Sequence, residues 1–147
     1  MKYPPLKNYI NGKPTAASSA KTLEVISPID GTLLSTVPMS TAKDLTDAVM
    51  VAQKAFVSWS RKPIKERVQV FFKFKTLLER DLNILAALVQ EENGKTLGEA
   101  VAEVEKCIEL TEFATSLPQL ISGEVLEVSK GVECRTEHVP LGIVASI

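Results

Sequence analysis

The chain has 147 residues, 45% hydrophobic and 24% charged, which suits one domain of ordinary size and excludes a disordered chain. Seventeen basic and 18 acidic residues leave a net charge of -1, so nothing pulls the chain as a whole toward nucleic acid or an anionic membrane. Two cysteines make no disulfide framework, and with a single histidine they do not complete a four-ligand zinc site. The start, Met1-Lys2-Tyr3-Pro4-Pro5, carries no apolar run of the signal-peptide kind, and no stretch approaches the ~20 apolar residues of a membrane span. A cytoplasmic protein with free thiols, no bound metal and no membrane contact is the expectation.

The charge is uneven along the chain. Residues 1–75 carry 12 basic and 5 acidic groups, whereas residues 76–147 carry 5 basic and 13 acidic. The charges are interleaved with apolar residues at helical spacing, so they read as solvated helix faces rather than a nucleic-acid arm.

The first 40 residues read as strands and turns. Asn8-Tyr9-Ile10 runs into Asn11-Gly12, a pair suited to a type I′ hairpin turn. Leu23–Ile26 alternates, Pro28-Ile29-Asp30-Gly31 signals a second turn, and Thr32 to Val37 reads as the returning strand closed by Pro38. Two such hairpins are marginal alone and must lean on something larger.

From Thr41 to Leu117 the pattern is helical. Thr41 and Asp44 form a capping-box pair, followed by a stripe of Leu45, Val49, Ala52, Phe56 and Trp59. Pro63 suits the first turn of a second helix with Ile64, Val68, Phe71, Phe72 and Leu78 inward. Asp81 reads as the cap of a third helix with Ile84, Leu85, Leu88 and Val89 inward, ended by Gly94. Thr96 and Glu99 cap a fourth, which carries Val101, Val104, Ile108 and Leu117 and stops at Pro118.

Strand pattern returns in the tail. Val125–Val128 leads to a Lys130-Gly131 turn, and Val132 to Val139 alternates until Pro140. Gly142 to Ile147 is almost wholly apolar, as in a strand buried on both faces of a parallel sheet. Such a strand needs neighbours and covering helices that the remaining residues do not supply. The expectation is therefore the front of something longer: one incomplete domain over 1–147, with strands and turns at 1–40, helices at 41–117 and strands at 118–147.

Motifs that carry chemistry elsewhere have plainer readings here. Gly94-Lys95-Thr96 resembles the end of a phosphate-binding loop, but Val89 stands where the first glycine belongs and a helix precedes it. There is no Gly-x-Gly-x-x-Gly. Cys107 and Cys134 read as small buried or half-buried thiols, since His138 lies ~13 Å along the strand from Cys134. Lys65, Arg67, Lys73 and Lys75 with Phe71, Phe72 and Phe74 suit a membrane surface or a partner helix. A helix with aromatic core residues and a wet basic face, balanced by the acidic fourth helix, is the simpler reading. Glu99, Glu103, Glu105, Glu109 and Glu112 read as a solvated acidic face.

Five stretches together resemble the start of an aldehyde dehydrogenase. They are Asn8-Tyr-Ile-Asn-Gly-Lys13, Ser27-Pro-Ile-Asp-Gly31, Ala55-Phe-Val-Ser-Trp59, Glu91-Glu-Asn-Gly-Lys-Thr96 with Glu99-Ala100, and Pro140-Leu-Gly-Ile-Val144. The flavour is that of methylmalonate-semialdehyde and other semialdehyde dehydrogenases. The resemblance implies an α/β fold: β-hairpins, a four-helix region, an oligomerisation-arm strand around 132–139, and the first strand of the nucleotide-binding sheet at 142–147. It places the oxyanion asparagine, general-base glutamate and nucleophilic cysteine beyond Ile147, so this chain holds no catalytic residue. Ile147 matches a position whose backbone lies beside the cofactor. Lys106 matches best the place where methylmalonate-type enzymes set an arginine for the substrate carboxylate. Lysine keeps the charge and loses the bidentate fork, and a plain surface lysine is the other reading.

The implied parent oxidises an aldehyde with NAD or NADP through a cysteine thioester, closed by hydrolysis or by transfer to CoA, as a homo-oligomer. The 147-residue chain itself is expected to be inactive and to bind no dinucleotide tightly. Two non-enzymatic readings stand beside this one. The first is a module that self-associates, or binds another protein, through the strand edges at 125–139 and 143–147. The second is a basic-helix binding module with salt-sensitive binding.

Overall fold

The computed structural model describes residues 1–147. Its strands form three separate two-stranded antiparallel sheets, and its helices lie between the second sheet and the third.

The first hairpin pairs β1 (Asn8–Ile10) with β2 (Lys13–Thr15), turning on Asn11 and Gly12, both at positive φ as a type I′ turn requires. The second pairs β3 (Thr22–Ile26) with β4 (Leu33–Pro38), with a bulge between Val25 and Ile26. The first six residues run along β4, where the N–H groups of Lys2, Tyr3 and Leu6 donate to the carbonyls of Leu33, Leu34 and Thr36. This strap is bonded to the backbone of Leu34, whose side chain is the one large one that is fully buried.

Helix α1 (Ala42–Trp59) starts at the Thr41–Asp44 capping box, with both reciprocal hydrogen bonds formed. Pro63 sits one position earlier than expected, as the N-cap of the short α2 (Ile64–Arg67). The chain then turns at Val68 into α3 (Gln69–Asn93), 25 residues without a break. Asp81 therefore caps nothing. It lies mid-helix, held by Nε and Nη2 of Arg80 at 2.8 and 2.7 Å. With no proline or glycine between Gln69 and Asn93, one aspartate costs too little to end a helix.

Gly94 ends α3 in the left-handed region at φ 71, and a Cβ there would stand 3.1 Å from Cγ of Pro28 in the second hairpin. Helix α4 (Leu97–Thr115) opens on the complete Thr96–Glu99 capping box and lies against α3. It ends at Thr115, before Pro118, which instead sits in the first turn of a short α5 (Leu117–Leu120). Proline is tolerated there because that N–H has no helical partner.

The third hairpin joins β5 (Glu124–Ser129) to β6 (Val132–Thr136) through Gly131 at φ 78. Gly123 admits this closure: a Cβ there would stand 2.3 Å from the Thr136 carbonyl oxygen. All 11 residues of the two strands are exposed, so both faces of this sheet meet solvent.

The expected strand at 143–147 is not formed. Residues 137–147 adopt no regular structure, because no neighbouring strand takes their backbone hydrogen bonds. The expected aromatic core is also absent: Phe71, Phe72 and Phe74 are exposed, as are Leu45 and Trp59 of the α1 stripe. Burial is confined to nine residues, and the apolar core of the helix pair consists of Ala86, Ala100 and Val104.

Candidate functional site

Helix α4 and the C-terminal segment hold the side chains with chemical interest. Lys106 projects from α4 into solvent, and its Nζ pairs with Glu109 Oε2 one turn on at 2.7 Å. Its charge is thus already met on its own helix, the geometry of a surface lysine pair. Ile147 lies at the exposed end of the irregular segment. No hydrogen bond or ion pair joins Lys106 to Ile147, so the structure does not bring these two residues into one site.

Both thiols are exposed rather than buried or half-buried as expected. Cys107 misses the packed face of α4 that Val104 and Ile108 occupy and borders a hollow of about 290 Å³ lined by Leu78, Leu85, Leu88, Val89 and Val104. Cys134 is exposed because nothing covers the third hairpin on either face. Neither sulfur takes part in a hydrogen bond, so neither is held by a base of the kind that activates a nucleophile.

The acidic face of α4 is solvated, as its spacing indicates. Glu112 meets Lys75 of α3 at 3.2 Å, Lys95 pairs with Glu103, and Glu99 is spent on the helix cap. The carboxylates displaced from their ordinary range all move down. The Thr96 hydroxyl and N–H lower Glu99, Arg80 lowers Asp81, and Thr32 lowers Asp30. A general acid needs the opposite shift. No group of three or more His, Cys, Asp or Glu side chains converges as a metal site does. No helix is long and apolar enough to cross a membrane.

Two polar junctions escape sequence reasoning. Lys2 Nζ pairs with Glu91 of α3, whose other oxygen accepts from the Tyr3 hydroxyl at 2.8 Å. The pair raises Lys2 and lowers Glu91, chiefly through their mutual hydrogen bond. An open hollow of about 730 Å³ lies beside it, between the N-terminal strap and α3. The second junction is Asp44, whose carboxylate binds Ser18 as well as its own helix cap. A capping box can be read from sequence, but Ser18 and Tyr3 lie 26 and 88 residues from their acceptors.

There is no Gly-x-Gly-x-x-Gly fingerprint, and Ile147 is exposed and belongs to no sheet.

Comparison with known proteins supplies the context that this surface lacks. The model of the aldehyde dehydrogenase family matches residues 15–147. Malonate-semialdehyde dehydrogenase 1 of Geobacillus kaustophilus is 42% identical over 97% of this chain, which spans 29% of that protein. Methylmalonate-semialdehyde dehydrogenase from Oceanimonas doudoroffii superposes with a TM-score of 0.89 at 30% identity, covering 96% of this chain and 28% of its own. A Sinorhizobium meliloti protein assigned the same activity, solved with NAD, gives 0.85 at 31% identity, covering 92% of this chain and 28% of its own. The match is to the N-terminal region of those structures. On these grounds the chain belongs to the aldehyde dehydrogenase family.

Proposed function

We propose that these residues are the N-terminal portion of an enzyme that oxidises a malonate- or methylmalonate-type semialdehyde with NAD or NADP through a cysteine thioester. The observation that carries the reading is the 42% identity to a malonate-semialdehyde dehydrogenase over 97% of the chain. In this reading the reacting cysteine, its base and the oxyanion asparagine come from the portion that the relatives carry beyond the matched region. Residues 1–147 contribute one domain's N-terminal part and the strands of an oligomerisation arm, in a cytoplasmic homo-oligomer. CoA is the acyl acceptor in the acylating branch and water in the other.

Within this reading Lys106 is the candidate contact for the substrate carboxylate, and Ile147 offers backbone beside the cofactor. Lys106 must leave Glu109 to serve, and a lysine placed there gives a point charge without a fork.

The test is a chimera in which residues 1–147 replace the matching region of the Geobacillus kaustophilus protein. It should reduce NAD with malonate semialdehyde, while the 147-residue chain alone reduces none. Lys106→Ala in the chimera should raise KM for malonate semialdehyde several-fold and leave KM for an uncharged aldehyde unchanged. An active isolated chain, or a folded chimera without activity, contradicts the proposal. An equal effect of Lys106→Ala on both aldehydes removes Lys106 from it.

A further inference from the structure

The first six residues close one edge of β4. The N–H groups of Lys2, Tyr3 and Leu6 donate to the carbonyls of Leu33, Leu34 and Thr36 at 3.0, 2.7 and 2.9 Å, and the Ser35 hydroxyl donates to the Pro4 carbonyl at 2.8 Å. The other edge of β4 is taken by β3. Without the strap, β4 would therefore offer unpaired backbone groups to any extended chain. The strap does not pass this liability outward. Pro4 and Pro5 have no N–H, and a segment interrupted in this way is a poor template for further pairing. Little apolar burial holds the strap in place. Met1 and Leu6 are 61% and 53% exposed, and an open hollow of about 730 Å³ is lined by Lys2 and Tyr3 together with Ile84 and Leu88 of α3. The side-chain bonds from the strap to α3 converge on one carboxylate. Lys2 Nζ pairs with one oxygen of Glu91, and the Tyr3 hydroxyl donates to the other at 2.8 Å. Hydrogen bonds to a charged group are roughly twice as strong as neutral ones, so in a segment with so little buried surface this carboxylate dominates.

We infer that residues 1–6 are a guard on the β4 edge that opens and closes as one unit, and that Glu91 is its latch. Closed, the guard occupies the carbonyls of Leu33, Leu34 and Thr36 and ends the sheet in two prolines. Open, it frees those carbonyls for an extended segment of a second copy of this chain, whose own β4 edge is uncovered by the same event. The opening is local. The β3–β4 pairing and the packing of Ala86, Ala100 and Val104 between α3 and α4 involve none of residues 1–6, so both persist when the guard leaves. The latch is specific because one side chain serves both partners: loss of Glu91 unties Lys2 and Tyr3 together, whereas loss of either partner alone leaves the other bond in place.

Amide hydrogen exchange resolved by NMR on the 147-residue chain tests the latch. Glu91→Ala should speed exchange at the Tyr3 and Leu6 amides roughly ten-fold or more, as the loss of a hydrogen bond to a charged group implies, while the amides of α4 keep their rates. Lys2→Ala with Tyr3→Phe removes the same two bonds from the strap side, leaves Glu91 in place and should reproduce the effect. Circular dichroism checks that both variants keep their helices. Light scattering over a concentration series tests the guard. Both variants should self-associate at about a tenth of the concentration that the unaltered chain requires, in step with the ten-fold opening. The exposed strands at 124–136 are the same in all three proteins, so the difference reports the strap. Unchanged exchange at Tyr3 and Leu6, equal acceleration in α4, a freed strap without a gain in association, or a gain confined to Glu91→Ala would each overturn the inference.

Discussion

Asp44 joins two parts of the chain that sequence spacing keeps apart. One carboxylate oxygen accepts from the N–H and hydroxyl of Ser18 at 2.9 and 2.7 Å, and the other from the N–H and hydroxyl of Thr41 at 2.7 and 2.9 Å. The Thr41 N–H, followed by the Ser18 hydroxyl, holds its pKa well below the ordinary carboxylate range. The sign follows from linkage. A carboxylate lowered in the native state contributes its stability in full above the unfolded pKa of ~3.9, and loses it as pH falls toward the native value. The thermal midpoint should therefore drop as pH falls from about 4 to 2, and Asp44→Asn should both lower it at neutral pH and flatten that acid slope. Midpoints followed by circular dichroism against pH check this, and parallel curves for the two proteins would contradict it. The cap half of this site is legible as Thr-x-x-Asp, because both partners lie within one turn. The Ser18 half is not, because only the folded path of residues 16–41 brings it near.

The long helical hairpin shows how far element-level reading reaches. Its inward residues on both sides, Leu85, Val89, Val101, Val104 and Ile108, follow from period alone, and Gly94 marks its turn. Missing from the pattern is the weight of the alanines. Ala86 and Ala100 are both fully buried and set the closeness of α3 to α4, yet a small residue gives no hydrophobic signal of its own. Ala100→Leu should overpack that contact, costing about 1–3 kcal/mol and lowering the urea midpoint, while helix content stays within a few per cent. An unchanged midpoint would show that the helices are not close-packed there. Periodicity also misplaces Phe71, Phe72 and Phe74. It says that they share a side with other apolar residues, not which neighbour that side meets. The same limit explains Asp81. A capping residue is recognised by what it can bond, and inside an unbroken helix Arg80 takes its carboxylate instead.

At the scale of the molecule, the fold is well held at one end and open at the other. The strap over β4, the Asp44 junction and the Lys2–Glu91 pair tie the N-terminal hairpins to α1 and α3. Beyond α5 nothing comparable exists, and residues 124–136 form a ribbon wet on both faces. The family resemblance is legible in five short stretches, three of which fall at the Asn11-Gly12 turn, the Pro28–Gly31 turn and the Gly94–Glu99 helix end and cap. The chemistry is legible here only through that resemblance. Lys106 and Ile147 take their proposed roles from resemblance and not from their surroundings.

Hydrogen exchange read by mass spectrometry on residues 124–147, in the isolated chain and within the chimera, tests most directly that this is part of a larger fold. An isolated hairpin with no covered face opens readily, so its amides should exchange as fast as an unfolded peptide in the isolated chain. Within the chimera the same amides should slow by at least a hundred-fold, while the α3–α4 hairpin is protected in both. Strong protection of residues 124–147 in the isolated chain, or none in the chimera, would contradict the account.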